Sequence, residues 1–492
     1  METRLLIAGE QVAGLGGPLE VENPATEATL ASVSLPSREQ VDAALAGARE
    51  ATRTWADTPA LERAELLHEV AARMRAMTEE LALTMTREGG KPLVENRDEV
   101  GWTAGAFDYY AEIARSSAGR VIPPIESTQL ALVLKEPVGV VACIVPWNYP
   151  LLLLAWKLAP ALAAGNTTVA KPSEMTPLST LMLAPCFEHL PPGAVNLLAG
   201  AGDVGEAIVA DERVDCVAFT GSVATGKAIA GRCAERVARV NLELGGKDPF
   251  IVCADVAGAV EVAARGGAWA AFLNAGQVCT SAERFYVLEP IYDEFLAAFV
   301  EHTESLVIGD PEDAETDVGP LVSSVQHAKV AAQVEGAVGA GARLVSGGGN
   351  GGLERGHFMA PAVLTGTPPE TDLLREETFG PVAPIVAVKT LDEAIALANG
   401  TRYGLGANVY TRDLETMVRC MREIKAGTVW FNDPLTDNDA GPFGGMKQSG
   451  LGRELGEEGL EAFQETKHVH IETRIAAKEW WYPYGGAPPG EA

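Results

Sequence analysis

The chain has 492 residues, 47% hydrophobic and 21% charged, more than one hydrophobic core usually serves, so two or three domains are expected. Its 38 Lys and Arg against 67 Asp and Glu leave a formal charge of −29, a surface that repels phosphate backbones and argues against nucleic acid as a partner. Seven scattered cysteines, odd in number and without a C-x-x-C pair, point to a reducing compartment; no ligand spacing among them or the histidines suggests a metal.

The opening Met1-Glu-Thr-Arg-Leu-Leu-Ile lacks a basic region followed by an apolar core, so no secretory leader is expected and the cytoplasm is the expected location. The first hundred residues read as helical. Ser37 with Gln40 makes a capping box ahead of an Ala-rich run, and Thr58-Pro59 opens a second long helix that Gly89-Gly90 closes. From about residue 131, β-branched runs alternate with Ala-rich helical segments: Val138–Val145, Thr167–Ala170, Val195–Leu198, Val214–Phe219 and Val240–Leu244. Near-continuous apolar strands between helices indicate a parallel sheet covered on both faces, a doubly wound dinucleotide-binding architecture.

Val138 to Ala164 is long and apolar enough for a membrane span. Pro146, Pro150 and Pro160 break it, and Asn148 and Lys157 interrupt it, so strand, tight turn and buried helix is the better reading. A second α/β series runs from Pro249 to Asn432, with strands at Ile251–Cys253, Phe285–Leu288, Pro384–Val388 and Ala407–Tyr410 and helices at Ile291–Glu304 and Leu391–Asn399. The Gly-rich run from Ser346 to Gly352 reads as a surface loop. The tail Trp480-Trp-Tyr-Pro-Tyr484 reads as irregular, its aromatics docked on this chain or on a neighbouring subunit.

Several short segments carry chemistry. Gly200-Ala-Gly202-Asp-Val-Gly205 follows a strand and opens a helix, which suits either a phosphate-cradling turn or a plain tight turn. Phe219-Thr-Gly221-Ser222 does the same one unit later, where backbone N–H groups and the Ser222 hydroxyl could hold an anion. Cys279 stands among Gly, Gln, Thr and Ser, a polar loop that suits a nucleophilic thiolate better than a core thiol. Glu243 lies between two leucines at a strand's end, either a buried general base or the partner of Lys247. Asn148 sits in a turn at the C-terminal end of a strand, as an oxyanion donor or as a helix cap.

Together these segments resemble the aldehyde dehydrogenase superfamily from about Asn23 to His470. The similarity is carried, in order, by Pro146-Trp-Asn-Tyr-Pro150, Ala164-Gly-Asn-Thr167 with Lys171-Pro-Ser-Glu174, Phe219-Thr-Gly-Ser222, Glu243-Leu-Gly-Gly-Lys247, Gly276-Gln-Val-Cys279, Glu376-Glu-Thr-Phe-Gly-Pro381, and Pro442-Phe-Gly-Gly445 with Lys447-Gln-Ser-Gly450 and Gly452-Arg-Glu454. The resemblance implies an NAD-binding domain at 1–115 and 137–245, a catalytic domain at 246–449, and an oligomerisation arm and tail at 116–136 and 450–492. In it, the arm hairpin pairs with a strand near Glu465–Ile471 of another subunit, so a homodimer or homotetramer is expected.

By the same resemblance Cys279 is the nucleophile, Glu243 the general base and Asn148 the side-chain half of the oxyanion hole, with Lys157 and Glu454 as a proton relay or an internal ion pair. NAD, with NADP as the alternative, is expected against Ile144, Val145, Trp147, Lys171, Ser173, Glu174, Gly202, Phe219, Gly221, Ser222, Leu244, Glu377 and Phe379. Val223-Ala224 replaces a polar pair common in relatives, which puts pyrophosphate affinity in question. Relatives build the aldehyde tunnel from positions matching Tyr149, Trp156, Val278, Thr280 and Phe443, here apolar, partly aromatic and without a cation for a substrate carboxylate; the resemblance implies oxidation of an aliphatic or aromatic aldehyde to the carboxylic acid through a thioester on Cys279. Asp433, Asp437 and Asp439 are either solvated or turned towards a cationic aldehyde such as betaine aldehyde or an aminoaldehyde; Phe443 stands where betaine-aldehyde-type enzymes often carry Trp. A thiol esterase, or a catalytically silent homologue, is the alternative, while Glu243 argues against a CoA-acylating relative.

Overall fold

The computed structural model describes residues 3–116, 119–478, 480–482 and 484. Residues 1–2, at the start of the expected NAD-binding domain, and 117–118, 479, 483 and 485–492, in the expected arm and tail, lie outside the described residues.

Two sheets organise the chain. The first has eight strands in the order Gly450–Leu451, Arg239–Leu244, Cys216–Gly221, Val140–Ile144, Thr167–Lys171, Val195–Leu197, Leu5–Ile7 and Glu10–Val12. The middle five, from Arg239–Leu244 to Val195–Leu197, are parallel to one another. The first chain segment among them, Val140–Ile144, lies centrally with the fourth, Cys216–Gly221, beside it. Strand order therefore reverses at that pair, and the crevice beyond their carboxyl ends is where such sheets receive ligands. All residues of Val140–Ile144 and Thr167–Lys171 are buried, as expected of β-branched runs covered on both faces.

The second sheet orders Arg343–Ser346, Ala362–Thr365, Val382–Val388, Ala282–Leu288, Asp248–Val252, Gly406–Tyr410 and Thr428–Phe431. All its pairings are parallel except that of the first strand. The helix expected over Leu391–Asn399 has those bounds, and Thr390 caps it.

The amino-terminal region departs from the helical expectation. Leu5–Ile7, Glu10–Val12, Pro18–Asn23 and Ala28–Ser34 are strands, and Leu6 pairs with Leu197 at the edge of the first sheet. Their extension depends on partners far along the chain, which local periodicity does not register. The capping box at Ser37 and Gln40 is formed. The second long helix instead divides into Ala60–Ala76 and Thr78–Gly89 at Met77. Thr78 Oγ1 donates back to Arg75 O, a side-chain bond that competes with continuation of the helix. Thr58 does not cap: its hydroxyl donates to Thr54 O. Gly90 does close the second piece, at φ 82°, a left-handed position that glycine adopts without strain.

The apolar stretch is a strand followed by the helix Leu152–Ala163, whose residues are all buried, Lys157 included. Among the described residues no helix is long and apolar enough to cross a membrane.

The arm corrects another expectation. Gln129–Pro137 pairs antiparallel with Gln464–Glu472 of the same chain, with Arg120–Ile122 on its other side. A third strand from within the chain gives the hairpin the support that two strands alone lack. Trp480, Trp481, Tyr482 and Tyr484 are 56–82% exposed, so the tail aromatics are not docked on this chain.

Candidate active site

Three adjoining cavities run from the strand-order reversal into the crevice between the two sheets. The first, about 640 Å³, is lined by Ile144, Val145, Lys171, Ser173, Glu174, Gly202, Phe219 and Gly221 among others. It shares Pro146, Thr220 and Gly221 with a narrower cavity of about 180 Å³ lined also by Trp147, Asn148, Ser222, Glu243, Cys279, Glu377 and Phe379. A tunnel of about 480 Å³ reaches the same place from the other side. Asn148 and Cys279 line both the narrow cavity and the tunnel, so any molecule in either one meets this pair.

Cys279 is the one cysteine of the seven that is not fully buried. Its polar neighbours are not the solvated loop that composition suggests. Gln277 and Ser281 are buried, and Thr280 turns to the tunnel wall. Burial, then the nearby carboxyls of Glu243 and Asp248, push the Cys279 thiol well above its usual range. That environment favours the thiol over the thiolate. The preceding turn is strained: Asn274, Ala275 and Gly276 have φ of 48°, 54° and 71°, a run of left-handed residues that L side chains disfavour. A Cβ on Gly276 would stand 2.3 Å from Gly380 O, so glycine is required there.

Glu243, next to last in the strand Arg239–Leu244, is 2% exposed, and neither carboxyl oxygen has a hydrogen-bond partner. The ion pair with Lys247 is not formed. Lys247 Nζ instead bonds Glu283 at 2.6 Å and Thr378 Oγ1 at 2.9 Å. A buried carboxyl left without partners is costly unless protonated. Burial accordingly pushes Glu243 well above the carboxylate range, helped by the Glu454 charge and opposed by Lys157.

Asn148 is 4% exposed, and its Nδ2 donates to Gln277 O at 3.0 Å. An amide carries two N–H groups, so one is left. Helix capping is not its role: Glu99 Oε1 accepts the Leu151 and Leu152 N–H groups at 2.9 and 3.1 Å. Lys157 Nζ lies 2.5 Å from Glu454 Oε1 and 2.6 Å from Thr220 Oγ1, fully buried, while Glu454 Oε2 has no partner.

In the large cleft, Lys171 Nζ donates to Pro172 O and Gly200 O and stands 4.0 Å from the half-exposed Glu174 carboxylate. Ser173 Oγ accepts from Met175 N–H. Gly202 begins the helix Gly202–Ala210 and faces open space, whereas a Cβ on Gly200 would collide with Val204 at 2.5 Å. The turn is thus tight at its first glycine and open at its second. Ser222 caps Val223–Ala234, accepting from Thr225 N–H, and shares a hydrogen bond with Thr225 Oγ1. Either hydroxyl can donate there, so the Ser222 proton remains available to an anion.

Glu377 Oε1 accepts Gly246 N–H at 3.1 Å, and burial pushes its carboxyl up to about 7. A Cβ on Gly245 would lie 2.3 Å from Glu377 Oε1, which explains the glycine. The rings of Trp147 and Phe379 meet edge to face, 5.3 Å apart. Leu244 is the exception among the expected contacts: it lines none of these cavities and is buried against Gly226.

The tunnel contains Tyr149, Trp156, Val278, Thr280 and Phe443 as expected, and adds Trp102 and Trp269. Neither tryptophan carried a signal in sequence, since each lies on a helix whose orientation is set by packing. Asp437 and Asp439 line the tunnel, but Asp433 does not. Asp437 lines the tunnel while its side chain stays exposed; partial desolvation by the walls beside it, with Asp439 adding to the shift, pushes its carboxyl up to about 7. Among the described residues no Lys, Arg or His lines the tunnel.

The arrangement pairs a sulfur and an amide donor with a buried carboxyl, between a long glycine-edged cleft and an aromatic tunnel. The family model for "Aldehyde dehydrogenase family" matches residues 12–469. The chain is 39% identical to a betaine aldehyde dehydrogenase of Bacillus subtilis over 98% of its own length and 100% of that protein's. It is 40% identical to aminoaldehyde dehydrogenase 2 of Zea mays, over 97% and 96% of the two chains. The solved structure of a betaine aldehyde dehydrogenase from Staphylococcus aureus in complex with NAD+ matches with a TM-score of 0.94 at 35% identity, over 98% and 96% of the chains.

Proposed function

The chain belongs to the aldehyde dehydrogenase family, and from that premise we propose that it oxidises a cationic aldehyde, of the betaine-aldehyde or aminoaldehyde class, to the carboxylate with NAD, or alternatively NADP. One observation carries the catalytic reading: Cys279 and Asn148 stand where the tunnel meets the cavity that holds Glu243.

The cleft and narrow cavity fit an extended dinucleotide. Their walls are continuous at Pro146, Thr220 and Gly221, and Gly202 leaves room at the position a side chain would fill. Lys171 and Glu174 would hold the adenosine ribose, with Ile144, Val145, Ser173, Gly202, Phe219 and Gly221 along the walls; Ser222 would meet the pyrophosphate, and Trp147, Glu377 and Phe379 the nicotinamide end. A carboxylate at Glu174 disfavours a 2′-phosphate, so NAD is preferred. When bound, the nicotinamide supplies a hydride acceptor.

The remaining chemistry falls to the protein. Cys279 Sγ releases its proton to solvent and forms a bond to the aldehyde carbon, and the carbonyl oxygen takes the negative charge. The free N–H of Asn148 Nδ2 and the Cys279 backbone N–H donate to that oxygen. After loss of hydride the carbon is a thioester on Cys279. Glu243 in its ionised form takes a proton from a water that attacks the thioester carbon, the C–S bond breaks, and the carboxylate leaves with the thiol restored. The Lys157–Glu454 pair holds a fixed charge pattern behind Glu243 and, through Thr220, reaches the cleft. That connection supports reading it as the relay for the proton that Glu243 collects.

The substrate class rests on the tunnel. Trp102, Tyr149, Trp156, Trp269 and Phe443 offer aromatic faces, and Asp437 and Asp439 supply negative charge. An ammonium attracted by both is worth about 0.5–2 kcal/mol per ring contact. The absence of a lining cation disfavours a substrate carboxylate. The test compares kcat/KM for betaine aldehyde and 4-aminobutanal with that for hexanal; a cationic substrate turned over no faster than hexanal overturns the proposal.

Val121, Leu130, Leu134 and Ile471 of the arm are 39–69% exposed, a patch that supports a homodimer or homotetramer. The unpaired cysteines support a reducing, cytoplasmic setting. A thiol esterase would have no use for the large cleft, and a silent homologue none for an unpartnered Glu243 beside an accessible sulfur.

A further inference from the structure

Behind the site lies a buried ion pair that the chemistry above does not use. Lys91, in the linker between the helices Thr78–Gly89 and Leu93–Ser116, is 3% exposed, and Glu99 is fully buried. Lys91 Nζ contacts the Glu99 carboxylate. It also donates to the main-chain oxygen of Asn148 at 3.2 Å and stands 3.6 Å from the centre of the Tyr149 ring. Glu99 in turn holds the N–H groups that open the helix after Asn148. The pair is neutral overall, so it adds no net charge behind the tunnel.

The same peptide oxygen receives a second donor. Asn274 Nδ2 lies 3.3 Å from Asn148 O and 3.3 Å from Gln277 O, and Asn148 Nδ2 also donates to Gln277 O. The oxyanion donor and the strained turn before Cys279 are therefore joined in a closed ring of hydrogen bonds. Lys91 is the charged anchor of that ring: it donates to the same Asn148 backbone oxygen that Asn274 holds. With one amide N–H committed to Gln277, the direction of the other follows from where the Asn148 backbone is held.

We propose that Lys91 is a positioning residue for the oxyanion hole, setting the aim of the free Asn148 N–H towards the carbon attacked by Cys279. This rests on the reading of Asn148 as oxyanion donor. Misplacing a reacting group by about 1 Å can cost on the order of 100-fold in rate, whereas a buried ion pair replaced as a unit by neutral groups need not destabilise the fold.

Lys91→Met alone would strand the Glu99 charge and can fail to fold, so the decisive variant is Lys91→Met with Glu99→Gln. It buries no charge and keeps the Glu99-side acceptor for Leu151 and Leu152. Its kcat, with NAD and the faster of betaine aldehyde and hexanal, is expected to fall about 10- to 100-fold with KM for NAD unchanged. Introduced into Asn148→Ala, the same pair of substitutions should lower kcat by less than about twofold, because the donor being aimed is already gone. A kcat within about twofold of the parent, or a loss that multiplies fully with that of Asn148→Ala, overturns the assignment to Lys91. Full activity in Asn148→Ala by itself would instead overturn the oxyanion reading.

Discussion

On the proposed role of Glu243 as general base, Glu243→Gln is expected to separate acyl-enzyme formation from its hydrolysis. The Glu243 carboxyl makes no hydrogen bond, so the substitution breaks none and leaves the shape of the cavity nearly unchanged. Among the described residues two carboxyls line the narrow cavity with Cys279, and the one the substitution leaves, Glu377, is bonded to Gly246. Losing a general base costs about 10²–10⁴ in rate, or about 3–5 kcal/mol of barrier, and it should fall on deacylation. Rapid mixing of the variant with NAD and aldehyde is expected to give one equivalent of NADH per active site, followed by slow turnover. A uniform fall in rate without that burst refutes the role.

Stability supplies an independent reading of the same group. Because its folded-state pKa is raised, the folded protein holds a proton that the unfolded chain releases at lower pH. The associated stability is complete below the ordinary carboxylate range and is lost as pH rises towards the raised value. Glutamine cannot ionise, so the melting temperature of the variant should match or exceed that of the parent at pH 8, with the difference shrinking at pH 5.

Four further outcomes are expected. Cys279→Ala should abolish aldehyde oxidation while leaving NAD binding, followed by fluorescence titration, intact. Since burial holds the Cys279 thiol in its protonated form, kcat/KM of the parent should rise with pH across the neutral and alkaline range; a flat profile contradicts the environment described. Asn148→Ala should lower kcat about 10²–10³-fold with little change in NAD affinity, measured by steady-state kinetics. Asp437, pushed up to about 7, gains its charge as pH rises through that value. The preference for betaine aldehyde over hexanal should therefore grow between pH 6 and 8, and Asp437→Asn should remove that growth and cost on the order of 1 kcal/mol in kcat/KM for the cation alone.

Sequence and structure agree where local pattern and tertiary demand coincide. The strand Thr167–Lys171 is β-branched and apolar because both faces are covered, and the capping box at Ser37 is a purely local arrangement. The helix Leu391–Asn399 has both a cap and a periodic buried face. Agreement fails where the partner is remote. Leu5–Ile7 is a strand because the edge at Val195–Leu197 awaits it, and Gln129–Pro137 takes its neighbour from more than three hundred residues onward in the same chain.

The site divides along the same line. Cys279, Glu243 and Asn148 could be singled out in sequence because each is a chemically capable residue in an incongruous setting: a thiol among polar residues, a carboxyl between leucines, an amide between prolines. Their environments were another matter. That Glu243 lacks a partner, that Lys247 turns to Glu283, and that the Cys279 thiol is shifted upwards follow from what surrounds each group in space. So do the inclusion of Trp102, Trp269, Asp437 and Asp439 in the tunnel and the exclusion of Asp433.

By itself the sequence determined the doubly wound cofactor-binding pattern and which side chains had reactive chemistry, because periodicity and residue type are properties of the chain. Only the tertiary structure decided which carboxyls are desolvated, which cations are spoken for and which aromatics share a tunnel. Those are matters of dielectric and distance, set when segments hundreds of residues apart are packed together.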